Sequence, residues 1–189
     1  GERRSLEAVV MFTDLRGFTA FSETSSEADV FDALDGYFDL VVQSVEEMGG
    51  DVLKFMGDGI LSIFVIPAST ERNDKCRQAA RAARGVLAGL ATLNQDRAEA
   101  KKPPLDIGIG INVGQVSYGN IGSPGRLDFT VLGAAVNVAS RIEGLTKSLG
   151  HQVLATAAVA QSSPEMFATC GYQEVRGLNQ PVEVFGLIE

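Results

Sequence analysis

Lys54-Phe55-Met56-Gly57-Asp58-Gly59 lies between two apolar runs, Asp51–Met56 and Ile60–Ile66. Two β-prone runs separated by a Gly-Asp turn signal predict a hairpin. Its tip carries an acid, and its first strand carries a cation. Turn chemistry alone accounts for Gly57 and Asp58, with Lys54 solvated. A functional tip accounts for them equally well, so the choice rests on the rest of the chain.

Upstream, Ala8-Val9-Val10-Met11-Phe12 is a continuous apolar run within Leu6–Thr13 and predicts a buried strand. Asp14 follows at its C-terminal end, where α/β folds favour ligand sites, or else it caps the next turn. Ser25 or Ser26, with acids just after it, starts a helix. Val30, Leu34, Phe38, Val41, Val45 and Met48 give that helix a core-facing stripe, and Gly49-Gly50 ends it. Downstream of the hairpin, Glu71–Asn94 predicts a second long helix and Gln95–Pro104 a polar surface loop.

Leu105–Gly122 predicts a strand and then a second one at Gln115–Asn120, with glycines that allow bulges or close backbone approach. It lacks the layout of a phosphate-binding Gly loop. Leu127–Leu132 predicts a short strand, and Gly133–Thr146 a helix on which Asn137 and Arg141 share one face. Val153–Ala155 is a strand and Ala157–Ser162 a short helix. Tyr172–Val175 and Val182–Ile188 close the sheet, joined by Arg176–Pro181. The tally is a mixed α/β (α+β) fold: a sheet with helices mainly on one face.

The chain has 189 residues, is 45% hydrophobic and shows no long polar linker, which predicts one domain. Its net charge of −8 argues against nucleic acid and anionic membrane as partners, while leaving room for a local anion site. No apolar run approaches the ~20 residues of a membrane span. The charged opening predicts no signal peptide. Cys76 and Cys170 have no metal-ligand spacing and read as free thiols. The only histidine, His151, reads as a surface residue, which disfavours His-based catalysis.

Asp14 and Asp58 are carboxylates without His or Cys partners, a donor set that selects Mg²⁺ or Mn²⁺. Paired aspartates are also the minimal protein share of a two-metal phosphoryl-transfer site. Backbone amides at Gly17-Phe18-Thr19 can hold phosphate oxygens, with Arg141, Arg176 and Lys54 as counter-charges.

Phe12-Thr13-Asp14-Leu15-Arg16-Gly17-Phe18-Thr19 resembles the first metal-binding motif of the class III nucleotidyl cyclases. Lys54-Phe55-Met56-Gly57-Asp58-Gly59 resembles their second. The run from Asp128 to Glu143, containing Thr130, Asn137 and Arg141, resembles their transition-state motif, and Ile107–Gly122 also fits. The four motifs fall in the family's order, and the resemblance covers about residues 6–187.

The resemblance implies a ferredoxin-like βαββαβ core. It implies that Asp14 and Asp58, assisted by the Leu15 carbonyl, hold two Mg²⁺ or Mn²⁺ ions. These would promote attack of the ribose 3′-hydroxyl on the α-phosphorus and hold the departing pyrophosphate. Asn137 would orient the ribose, Arg141 would stabilise charge at the α-phosphate, and Arg176 with Gly17, Phe18 and Thr19 would hold the triphosphate. Lys54 and Thr130 would read adenine, because adenine N1 accepts a hydrogen bond and guanine N1 does not. Thr130 places the chain in the bacterial-rich IIIb subclass, which contains members stimulated by bicarbonate.

In this family Lys54, Asn137 and Arg141 act across a dimer interface from the aspartates, so a homodimer would carry two composite sites. The expectation is therefore an adenylate cyclase making cyclic AMP and pyrophosphate from ATP. The family usually attaches this domain to others, so a piece of a larger, cytoplasmic or membrane-attached protein is expected. The alternatives are a guanylate cyclase and a silent nucleotide-binding regulatory module. A diguanylate cyclase would need a different turn from Met56-Gly57-Asp58-Gly59.

Overall fold

The computed structural model describes residues 3–188. The apolar run around Val9 becomes β1 (Arg3–Leu15), longer at both ends than its apolar centre. It is followed by α1 (Phe18–Thr24) and α2 (Glu27–Glu47), then the hairpin β2 (Asp51–Met56) and β3 (Gly59–Ile66). The chain continues through α3 (Arg72–Glu99), β4 (Ile107–Ser123), β5 (Arg126–Leu132), α4 (Ala134–Glu143) and α5 (Thr146–Leu149). It ends with β6 (Val153–Thr156), α6 (Ala157–Ala160), β7 (Phe167–Gln173) and β8 (Val182–Leu187).

The sheet runs β2-β3-β1-β4-β6-β8-β7, with β5 paired to the outer half of β4. Each neighbouring pair among the first four strands is antiparallel, and α2 and α3 connect them, which is the ferredoxin-like βαββαβ arrangement. The β4–β6 pair is parallel, so the sheet is mixed. β1 and β3 lie in the middle and are buried on both faces, which explains why they read as unbroken apolar runs. Val9, Met11, Ile60 and Phe64 face α2 and α3, where Tyr37, Val41, Val45, Ala79, Ala83 and Val86 meet them. The alternate residues Ala8, Val10, Leu61 and Ile63 face the other way, onto Ala135 and Ala139 of α4. The two long helices therefore cover one face, and the short α4 covers part of the other.

Ser26 caps α2 by accepting the Asp29 amide hydrogen at 3.2 Å, and the hairpin falls at the expected residues. Four expectations change. First, α3 runs through Gln95 to Glu99, so the loop is confined to 100–106. Arg97 is buried there at 6% exposure, its Nε donating to the Pro103 carbonyl at 2.8 Å. Second, β4 is one 17-residue strand, held straight by thirteen register partners along β1. Third, the helix after Gly133 breaks at Gly144 into α4 and α5. Fourth, β7 starts at Phe167 and ends at Gln173, with a register break between Thr169 and Tyr172, and Val175 is buried beyond it. Cys76 and Cys170 are free thiols. His151 is half-buried rather than on open surface.

Candidate active site

Asp14 is the penultimate residue of β1, and Asp58 sits in the two-residue turn between β2 and β3. Gly57 makes that turn with a φ of +65°, a region L-residues avoid. Because Thr13 pairs with Ile60, the turn is delivered to the end of β1. Asp58 Oδ2 accepts the Leu15 amide hydrogen at 3.2 Å, so the backbone fixes one carboxylate against the other.

Burial, then a hydrogen bond to Asp58 and its charge, push the Asp14 carboxyl up to about 8. Asp14 Oδ1 is buried with no hydrogen-bond partner among the described residues. A pair of crowded carboxylates with an orphaned oxygen suits a hard divalent cation, which would relieve both repulsion and desolvation. No group of three or more His, Cys, Asp or Glu side chains is placed to hold a metal among the described residues. The Leu15 amide donates to Asp58, so of this residue's backbone only the carbonyl oxygen is a candidate cation ligand.

A third carboxylate that sequence reasoning passed over, Glu143, ends α4 beside this pair. Burial pushes it up to about 7; the Arg16 cation opposes the rise and the Asp58 charge adds to it. Its carboxylate lies over Gly108, the residue that pairs with Asp14 across β1 and β4. A Cβ at 108 would sit 2.5 Å from Glu143 Oε1. The sequence signal was that missing side chain, which reads as a bulge or a close approach with no named partner until α4 is placed. Tyr37, fully buried on α2, has a hydroxyl without a partner among the described residues, and its ionisation is opposed by burial and by all three carboxylates.

Gly17, at φ +67°, turns the chain from β1 into α1, and no side chain caps the first amides of Phe18 and Thr19. Arg97 backs this segment, its guanidinium 5.8 Å from the Phe21 ring.

The remaining residues gather elsewhere. Lys54 Nζ lies 3.3 Å from Asp128 Oδ2 on β5, two residues from Thr130. Asn137 is exposed on α4, and Arg141 is one turn further along. Arg141 Nη1 donates to the Arg176 carbonyl in the loop between β7 and β8. Gly177 follows at φ +86°, and a Cβ there would sit 3.1 Å from Arg141 Cζ. No hydrogen bond or ion pair among the described residues joins Lys54, Thr130, Asn137 or Arg141 to the Asp14–Asp58 pair.

Residues 2–188 match the family model for the adenylate and guanylate cyclase catalytic domain. The chain belongs to the class III nucleotidyl cyclase family. This cyclase domain is 36% identical over 174 residues to an adenylate cyclase of Anabaena cylindrica, covering 89% of the domain and 33% of that protein. It superposes on the adenylyl cyclase CyaB from P. aeruginosa with a TM-score of 0.83 at 26% identity, covering 100% of this chain and 97% of that one. The guanylyl cyclase Cya2 gives a TM-score of 0.84 at 33% identity over 99% of this chain and 93% of that one. The cyclase domain spans about a third of the length of the Anabaena relative.

Proposed function

We propose that this cyclase domain converts ATP to 3′,5′-cyclic AMP and pyrophosphate at two composite sites of a homodimer. The observation that carries the base choice is the Lys54 ammonium standing beside the β5 strand that carries Thr130. Lys54 donates to adenine N1, and Thr130 accepts from the N6 amino group. Guanine presents a hydrogen at N1, which a lysine cannot accept. The Anabaena relative, named an adenylate cyclase, supports the same choice.

The divalent ions that Asp14, Asp58 and the Leu15 carbonyl would hold supply Lewis acidity to the ribose 3′-hydroxyl and the triphosphate. Asn137 orients the ribose. Arg141 places its cation where negative charge grows on the α-phosphate, an electrostatic contribution of about 3 kcal/mol in comparable sites. Arg176 and the amides of Gly17, Phe18 and Thr19 hold the leaving pyrophosphate.

The family's composite arrangement, in which Lys54, Asn137 and Arg141 act across a dimer interface from the aspartates, supports a twofold dimer in which each chain supplies what the other lacks. So does the concentration of exposed apolar side chains on β4, β5 and the β2 end: Ile121, Leu127, Phe129, Leu132, Phe55 and Met56. Among the described residues no helix is long and apolar enough to cross a membrane. The whole 189-residue chain is proposed as one catalytic domain of a longer protein, working on the cytoplasmic side where its nucleotide substrate is found. Bicarbonate stimulation follows from the Thr130 subclass resemblance and is tested by activity against bicarbonate at fixed pH.

The deciding experiment measures turnover of ATP and GTP with Mn²⁺ across protein concentration. Cyclic AMP formation that rises faster than linearly with protein is expected. A preference for GTP would overturn the base assignment, and the 33% identity to Cya2 makes guanylate cyclase the second reading. No turnover of either nucleotide at high dimer concentration would leave a silent nucleotide-binding module.

A further inference from the structure

We propose that Asp128 is the positioning residue for base selection: it holds the Lys54 ammonium at the β5 edge so that one free N–H meets adenine N1. This rests on the adenylate cyclase reading and adds a residue to it.

The placement is built from three features. Lys54 follows a break in the β2–β3 register between Val52 and Lys54, so Leu53 is an extra residue that re-aims the strand. Leu53 turns into the cluster under α4, and Lys54 emerges toward β5. On β5, Asp128 pairs with Ile121 and Thr130 with Gly119, two residues along the same ladder. Strand alternation puts Asp128 and Thr130 on one face and Phe129 and Val131 on the other, with Val131 buried in the cluster under α4. The lysine therefore meets the face of β5 that carries Thr130, at 3.3 Å from Asp128 Oδ2.

A lysine ammonium on a four-carbon stem has no preferred direction of its own. An acceptor at one N–H fixes the nitrogen and leaves two donors, one of which suffices for adenine N1. Asp128 does this through Lys54 and does not touch the base. Its side chain is 71% exposed, so changing it leaves the core intact.

The test is a double-mutant cycle on the full cyclase domain with Asp128→Asn, Lys54→Met and the pair. The readout is equilibrium affinity for 3′-deoxy-ATP, which lacks the attacking hydroxyl, so inactive variants can be measured. ATP and GTP kinetics accompany it. Asp128→Asn should weaken 3′-deoxy-ATP binding by about three- to fivefold, the range of a partly exposed ion pair. It should raise KM for ATP by the same factor, hold kcat within about twofold, and leave GTP use unchanged, lowering the ATP-to-GTP preference. In the Lys54→Met background the effect should vanish.

Unchanged ATP affinity overturns the proposal, as does an equal loss with and without Lys54. A larger loss for GTP than for ATP also overturns it, since Asp128 would then be reading a guanine N–H itself. A wild-type preference for GTP sinks the adenylate reading instead, and the cycle still reports whether Asp128 acts through Lys54.

Discussion

Replacing Asp58 by Asn should make the metal-free cyclase domain more stable at alkaline pH while destroying its response to Mn²⁺. An asparagine side chain is isosteric with aspartate and its carbonyl oxygen can still accept the Leu15 amide hydrogen, so the hairpin anchor survives. What disappears is the carboxylate that, after burial, does most to hold Asp14 up at about 8 instead of 3.8. The sign follows from linkage. Below pH 3.8 the Asp14 carboxyl is protonated in both folded and unfolded chains and costs nothing. Above it the unfolded chain releases the proton and the folded one keeps it, so stability falls until the folded group titrates near 8.

Taken at face value, a rise from 3.8 to about 8 is worth about 6 kcal/mol, but Asp14 is only half-buried and solvent screening removes most of that. Assigning part of the remainder to Asp58 leaves a gain of about 1–2 kcal/mol at pH 8, shrinking toward zero at pH 4. For a domain of this size that is a rise in Tm of roughly 2–8 °C. Melting curves at pH 4 and pH 8, with and without Mn²⁺, read all of it: wild type should gain Tm from Mn²⁺ at pH 8 and Asp58→Asn should not. If the variant melts at or below wild type at pH 8 without metal, the two carboxylates do not burden each other, and the argument for a cation between them fails.

Gly177→Ala puts a Cβ 3.1 Å from Arg141 Cζ at a φ of +86°. It should lower kcat by about tenfold or more with a smaller change in KM, at a cost of about 1 kcal/mol in stability, read by steady-state kinetics and melting. Gly110→Ala would press a Cβ into α4, 2.7 Å from the Glu143 amide nitrogen. Lifting α4 should cost about 1–3 kcal/mol and depress kcat, because Asn137 and Arg141 ride on it; an unchanged kcat would show α4 to be unimportant to turnover. Arg97→Met keeps the bulk but loses the hydrogen bond to Pro103 and the cation over Phe21. It should lower stability by about 1–3 kcal/mol and raise KM for ATP as α1 loosens, checked by melting and by initial rates.

The hairpin and the α2 stripe were legible because their signals are local: a Gly-Asp turn between apolar runs, and a repeat at helical spacing. The placement of the two aspartates at one corner, and of Asn137 and Arg141 one turn apart on α4, follows from motifs that are also short and local. The errors lie where a distant partner decides. Gln95–Glu99 reads as loop because it is polar, yet Arg97 finds Pro103 and Phe21 and continues the helix. The glycines of β4 read as bulges or close backbone approach, and close approach is what α4 uses: it rides on the strand at Gly110 and Gly114, where a Cβ at 114 would lie 3.1 Å from the Ala135 methyl. Glu143 and Asp128 were passed over for the same reason. Each is an ordinary acid in its own segment and gains meaning only from Gly108 on β4 or Lys54 on β2.

α4 ties these observations together. Successive residues on a helix are about 100° apart, so Arg141 and Glu143 leave α4 on nearly opposite sides. Arg141 reaches the Arg176 carbonyl, and Glu143 reaches the corner of Asp14 and Asp58. Gly110 lets the helix backbone rest on β4 with no side chain between them, so α4 has little freedom to rotate and turn one residue without the other. In the proposed twofold dimer these two residues would belong to different sites. A ten-residue helix pinned to the sheet would then couple the carboxylate half of one proposed site to the arginine half of the other.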